Sequence, residues 1–203
     1  MTTSIKRHPQ ALVESDMLGP GTCVWAFAHV MPGAQVGANC NIGDHAFIEG
    51  GVIVGDNVTI KNHVCLWEGV TVHDDVFLGP HVVFTNDLCP RSPRMADVRE
   101  QYSAKENWLA RTLVQRGCSV GANATIVAGI TLGAYCMVGA GATVVRDVPP
   151  HALVVGTPAR QIGWVCRCGH RLVDAVTPCG RCGRSLDSMP TPLDDAASPN
   201  RSP

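Results

Sequence analysis

The chain has 203 residues, a formal net charge of −1 and a charged share of 16%, against about 25% in ordinary soluble proteins. That length holds one large domain and one small one, and the near-neutral balance argues against broad electrostatic attraction to nucleic acid. The opening MTTSIKRHPQALVESDMLGPG lacks the apolar core of a secretory signal, no run of about 18 apolar residues offers a membrane span, and the expected compartment is the cytoplasm. The chain carries ten cysteines. In a reducing compartment they serve as small apolar residues or metal ligands rather than as disulfides.

After an N-terminal segment, 1–20, a repeat begins. Steps of six from Val24 land on Val30, Val36, Ile42, Ile48, Val54, Ile60, Leu66, Val72, Leu78 and Phe84, all apolar. The series resumes at Val120, Ile126, Leu132, Val138 and Val144. Four residues after each member but Phe84 stands a small or β-branched residue, such as Ala28, Cys40, Val52, Val64, Ala124 or Cys136. A helix cannot bring every sixth residue to one face, and a long strand does not explain the glycines that follow many of these positions. A short strand with a turn explains both. Three such units close a triangular coil of 18 residues, and stacked coils share one apolar interior. The expected fold is therefore all-β: a parallel β-helix of hexapeptide repeats over 21–165.

Between 87 and 117 the repeat stops. The interruption, DLCPRSPRMADVREQYSAKENWLARTLVQRG, holds ten of the chain's charged residues. A long irregular segment inside a compact domain is more often functional than tolerated, so an extruded loop is expected, with arginines (Arg91, Arg94, Arg99) available to an anionic substrate. Coils of 18 stack residues 18 apart. His45, His63 and His81 then form one corner column, and Glu68 and Asn86 another nearby. Three imidazoles laddered along one corner do not offer the tetrahedral geometry of zinc. For each of these histidines a solvated corner position is the alternative to chemistry. His63, near Glu68 in sequence and one coil from Asn86, is the candidate base.

The tail reads CRCGHRLVDAVTPCGRCGRSL. Cys166, Cys168, Cys179 and Cys182 lie in a C-x-C, C-x-x-C pattern with glycine after each pair. Over 166–186 this resembles a zinc ribbon with four thiolates around one structural Zn²⁺, with His170 as a possible substitute ligand and iron as an alternative metal. So small an element draws its stability from the metal, and its expected role is to cap the β-helix or join subunits. Residues 187–203, rich in Pro, Ser and Asp, are expected to be disordered.

The hexapeptide pattern resembles the left-handed β-helix acyltransferases. VWAFAHV (24–30), KNHVCLWEGVTV (61–72), FLGPHVVFTNDLCPRS (77–92) and the stretch from Arg116 to Val165 ending VGAGATVVRDVPPHALVVGTPARQIGWV are similar to the sugar-nucleotide N-acetyltransferases. The nearest likeness is to enzymes that acetylate the 3-amino group of UDP-2-acetamido-3-amino-2,3-dideoxy-glucuronate for bacterial surface polysaccharides. The resemblance implies a left-handed coil, a homotrimer and acetyl-CoA as cosubstrate, lying in a groove between subunits. It implies cofactor contacts at Ala122, Ala140, Gly141, Arg146, Pro158 and Arg160, substrate contacts at His29, Trp67 and Arg91, and catalytic or orienting roles for His63, Glu68 and Asn86. Two positions depart from the family: Ala26 stands where a histidine is common, and Trp67 where a tyrosine is common. The rival readings are an acyltransferase for a dTDP-linked deoxyaminosugar, or for a hydroxyl, and a non-catalytic β-helix scaffold, which would not bind CoA.

Overall fold

The computed structural model describes residues 4–186; the tail expected to be disordered lies outside them. Two-residue strands alternate with four-residue corners, and the strands form three sheets of ten, seven and five members, parallel except for the last two strands of the largest. The first face includes Cys23–Val24, Asn41–Ile42, Thr59–Ile60 and Phe77–Leu78; the second includes His29–Val30, Phe47–Ile48, Cys65–Leu66 and Val83–Phe84; the third includes Gln35–Val36, Ile53–Val54 and Val70–Val72. Cys23 pairs with Asn41, and Asn41 with Thr59, which fixes a coil of 18 residues.

The physical logic is the same in each unit. The second strand residue points inward and is buried, as at Ile42, Ile48, Ile60 and Leu66. The small residue four places on fills the interior before the next corner. Each fully buried aliphatic contributes about 1.5–3 kcal/mol. At most corners one residue takes a left-handed conformation: His45, His63 and His81 between the first and second faces, Gly33, Gly51, Gly69 and Gly129 between the second and third, and Asn39, Asn57 and Asp75 between the third and first. Backbone hydrogen bonds then run from coil to coil, as Trp25 N–H to Ile42 O at 2.9 Å and Gly43 N–H to Ile60 O at 2.8 Å. The few buried hydroxyls are satisfied: Thr22 donates to Gly37 O, and Ser15 to Ala34 O.

Coiling begins before residue 21. Lys6–Arg7 pairs with Cys23–Val24 and Leu12–Val13 with His29–Val30, so the segment set apart as 1–20 contributes the first coil. The interruption is also shorter than 87–117. Asp87 and Leu109 close it with an antiparallel bridge, and Thr112–Val114 is already back on the third face, paired with Val70–Val72. Val114 is fully buried and stands six before Val120. Its flanking Arg111 and Arg116 disguise it in the sequence. Phe77 pairs with Ser119, a spacing of 42 in place of 18, so the insert is 24 residues. That is a whole number of six-residue units, which is why the frame survives it.

After Ala152–Val155 the chain reverses. Arg160–Val165 pairs antiparallel with it, and Arg171–Leu172 follows antiparallel in turn. No helix among the described residues is long and apolar enough to cross a membrane.

A Cβ at position 121 would stand 2.5 Å from Ala140 N and 2.8 Å from Gly139 C, backbone atoms of the next coil. Gly121→Ala is expected to cost about 1–3 kcal/mol through this overpacking, read as a lowered urea midpoint. Gly180→Ala, which meets nothing within 4 Å, is expected to leave the midpoint unchanged.

Candidate active site

The corner between the first and second faces carries the histidine column. The rings of Phe27, His45, His63 and His81 stack at 4.9, 4.8 and 4.7 Å between successive centroids. Beyond His81 the same corner continues through Asn123, whose N–H donates to Pro80 O, and Gly141, whose N–H donates to Ala122 O. Ala122, Ala140 and Gly141 therefore form a stretch of corner nearly bare of side chains. Thr157 Oγ1, 3.2 Å from Thr143 Oγ1 and 3.4 Å from Gly141 O, brings Pro158 in line above them. The structure thus unites four of the six expected cofactor positions with the histidine column, along one edge.

Glu68 and Asn86 occupy the corner between the second and third faces, at the foot of the extruded loop. Asn86 Nδ2 donates to Glu68 O at 3.2 Å. Glu68 N–H donates to Glu49 Oε2 at 2.7 Å, and Glu68 Oε1 accepts from Lys105 Nζ at 2.6 Å. The strand Cys65–Leu66 separates this corner from His63, and five residues of extended chain span roughly 16 Å. Expecting the two columns close together is therefore a misreading: nearness in sequence crosses a whole face of the prism. Lys105 gives no signal in sequence, since its partner lies 37 positions away and it opens a single 3-10 turn, Lys105–Asn107, inside the loop.

The substrate candidates are spread. Trp67 packs on Phe47 at 5.3 Å between ring centroids, and Phe47 on His29 at 5.4 Å, along the outside of the second face. His29 Nε2 lies 2.7 Å from Glu14 Oε2. Arg91 lies exposed on the loop, its guanidinium donating to the adjacent Pro90 O and its N–H to Tyr102 Oη. Tyr102 in turn donates to Asp87 Oδ2, so the loop is internally braced. A cleft of about 440 Å³ opens where the loop returns, bordered by Lys105, Arg111, Arg146 and Asp147. A second cavity, about 210 Å³, lies at the end of the prism among Val144, Val148, Val154, Ala159 and Arg160. Arg146 borders both, and Arg160 only the second.

The four tail cysteines converge. Their sulfur atoms all lie within 4.8 Å of one another, with Cys166 and Cys182 at 3.5 Å and Cys168 and Cys179 at 3.7 Å. A tetrahedral zinc with Zn–S near 2.3 Å needs sulfurs about 3.8 Å apart, so the donor set can hold such a metal. Backbone N–H groups of Arg181 and Cys182 hold the Cys179 thiol down to about 6, which favours the thiolate that ligates, while burial pushes the Cys166 thiol up to about 12, which opposes it. His170 is exposed and stands outside the cluster; its carbonyl accepts from Cys166 N–H. The first knuckle does not sit over the open end of the prism. Arg167 lies 4.6 Å from the Tyr135 ring centroid and Gly169 faces the Met137 methyl, so it flanks the late coils.

Removing the Lys105 ammonium leaves the loop foot without its ion pair. Exposed pairs contribute about 0.2–1 kcal/mol, so Lys105→Met is expected to speed amide exchange in the loop with little change in melting temperature. His151 provides a pH test. Burial, aided by the Arg167 charge and opposed by the hydrogen bond to Val165 O, pushes its imidazole below the ordinary value. Its stabilising contribution is full above pH about 6.5 and is lost as pH falls through the lower folded value. Protection of the Val165 amide, which donates to His151 O, is expected to drop between about pH 7 and pH 5, and to drop less in His151→Gln.

A family model, the bacterial transferase hexapeptide (six repeats), matches residues 17–50 and 111–146. The dTDP-3-amino-3,6-dideoxy-α-D-galactopyranose 3-N-acetyltransferase of Aneurinibacillus thermoaerophilus is 46% identical over 190 residues, 92% of this chain and 94% of that protein. Among solved structures, PerB of Caulobacter crescentus, in complex with CoA and GDP-perosamine, is 24% identical with a TM-score of 0.46, covering 79% of this chain and 58% of its own. A point mutant of AntD, an N-acyltransferase of Bacillus cereus in complex with dTDP and coenzyme A, is 13% identical with a TM-score of 0.48, covering 82% of this chain and 84% of its own. With its apolar residues returning every sixth position around three parallel sheets, and with a full-length acetyltransferase relative at this identity, the chain belongs to the hexapeptide-repeat acyltransferases.

Proposed function

We propose that the protein transfers acetyl from acetyl-CoA to the 3-amino group of a nucleotide-linked aminosugar, in a pathway that builds bacterial surface polysaccharide. The observation that carries this is the relative aligned along nearly the whole chain, itself a 3-N-acetyltransferase of a dTDP-linked 3-amino-3,6-dideoxy sugar. That acceptor has a methyl group at C6 and no carboxylate. The UDP-linked 3-amino-glucuronate, the second reading, needs a cation for its carboxylate. Arg91, the residue expected to supply it, is turned to its own neighbour's carbonyl. This favours the dTDP-linked 6-deoxy acceptor.

The separation of the two corners supports a site made by two copies of the chain. The edge of His63, Ala122, Ala140, Gly141 and Pro158 would face the Glu68–Asn86 edge and loop of a neighbour, as in a homotrimer. Acetyl-CoA then lies along the bare edge, its pantetheine amides meeting exposed backbone groups and its phosphates Arg146 or Arg160. The acceptor amine attacks the thioester carbonyl. A sugar amine beside electron-withdrawing substituents titrates near an α-amino group, about 7.7–8.0, so part of it is already neutral at cellular pH. Positioning by Asn86 and Glu68 then supplies much of the rate, and a backbone N–H faces the developing oxyanion. His63 takes the departing proton if a side-chain base is used. The four cysteines hold a structural zinc, and the protein acts in the cytoplasm, where both substrates are made.

Release of CoA thiol is the measurement, with acetyl-CoA and matched dTDP- and UDP-linked 3-aminosugars. Turnover is expected with the dTDP-linked acceptor. Turnover with the UDP-glucuronate compound alone would move the acceptor to the second reading, and turnover with neither would overturn the aminosugar reading. Asn86→Ala is expected to lower kcat/KM about 10²-fold by misplacing the amine. His63→Ala separates base from bystander: a base loses about 10²–10⁴-fold, a solvated corner residue almost nothing.

A further inference from the structure

The strand Arg160–Val165 joins two places that have nothing else in common. At its start, Arg160 borders the cavity at the end of the prism. At its finish, Val165 runs directly into Cys166, the first of the four clustered cysteines. The strand is held from both sides. Ala152–Val155 pairs with it on one side, with a register irregularity between Leu153 and Val154; Arg171–Leu172 pairs with Trp164 and Val165 on the other. Arg171 adds a side-chain bond from Nη2 to Ile162 O at 3.2 Å.

The second of these supports belongs to the ribbon, and the ribbon cannot hold itself together. Its core is Cys166, Leu172 and Cys179, packed on by Trp164, Cys168 and Leu186. Three of those six are cysteines of the cluster. An element with so little apolar content folds on its metal and unfolds without it. Trp164 packs against this small core and the main core together, so loss of the ribbon exposes one side of it. Arg167, between Cys166 and Cys168, would no longer be held over Tyr135. The strand would become an exposed edge, paired on one side through an irregular register.

We propose that a thiophilic metal ion, of the zinc class, at Cys166, Cys168, Cys179 and Cys182 fixes the position of Arg160–Val165, and that its occupancy thereby sets how well the prism end accepts CoA. The proposal rests on the acetyl-CoA reading above for the ligand, and on the sulfur geometry for the metal. The metal takes no part in the transfer: Arg160, a candidate for a CoA phosphate, is the strand's link to the cofactor, and the cysteines act through the strand.

The full-length protein is purified with its metal, its metal content measured, and the metal withdrawn by a chelator while circular dichroism follows the β-helix. Amide exchange over 160–165 and CoA affinity by calorimetry are compared before withdrawal, after it and after zinc is restored. One metal per chain is expected, with faster exchange of 160–165 on withdrawal, CoA binding weakened about 5-fold or more, and both reversed by zinc. The double variant Cys179→Ser with Cys182→Ser provides the same comparison without chelator. No bound metal, and no zinc uptake, overturns the metal site and the proposal with it. A bound metal whose removal moves neither readout overturns the coupling alone. Faster exchange with unchanged CoA affinity overturns the link to the cofactor. A metal-loaded protein that binds no CoA overturns the functional reading, and the exchange data then show that reading, rather than the metal site, to be at fault.

Discussion

Everything in this molecule hangs on the backbone ladder between coils. In the regular coils each strand residue pairs in register with the one eighteen positions away, its N–H donating to a carbonyl of the next coil, as Trp25 to Ile42, and a slip of one residue would turn the apolar interior outward. The ladder closes into a triangle only if the chain can turn sharply three times per coil. Most of these turns use a left-handed residue, and outside glycine that conformation is uncommon. The chain meets the demand with glycine at one corner and mostly with histidine, asparagine or aspartate at the other two. Chemistry-bearing side chains therefore reach the edges of the prism for reasons of backbone geometry first.

That ordering explains the layout of the candidate site. Stacking turns a sequence period into columns, and columns run along edges rather than across faces. The imidazoles and the bare alanine–glycine stretch share an edge, while Glu68, Asn86 and the loop share the next. No single copy of the fold brings the two together. The side of the prism between them carries Phe47 and Trp67 in ring contact, an apolar outer surface of the kind that favours a second protein surface over water.

The coil architecture was almost wholly legible in the sequence, because one inward aliphatic per six residues is both the signal and the cause. Val24 through Phe84 and Val120 through Val144 are buried as the period requires. What escaped is instructive. The first coil around Lys6 and Leu12 carries no six-step series of its own, since its spacing to the next coil is seventeen rather than eighteen. Val114 was hidden by two arginines. The Lys105–Glu68 pair was invisible because loop contacts have no period. The distance between His63 and Glu68 was misjudged because a five-residue interval that is short in a helix crosses a full face here. The cysteine pairs were readable since metal ligation constrains spacing directly, whereas the side on which the ribbon rests depends on Tyr135 and Met137, which nothing in the tail foretells.

A stack of parallel coils has two open ends, each offering unpaired backbone to any similar molecule. The first strand among the described residues is two residues long, Lys6–Arg7, both exposed, with the Lys6 ammonium 4.7 Å from the Trp25 ring centroid. At the other end the antiparallel Arg160–Val165 breaks the parallel pattern that another coil would need to copy. Short edge strands carrying exposed charges are among the devices that keep β-sheet proteins from adding to one another. The short charged strand and the reversed one therefore both disfavour the addition of a further parallel coil to a solenoid whose middle could in principle be extended without limit.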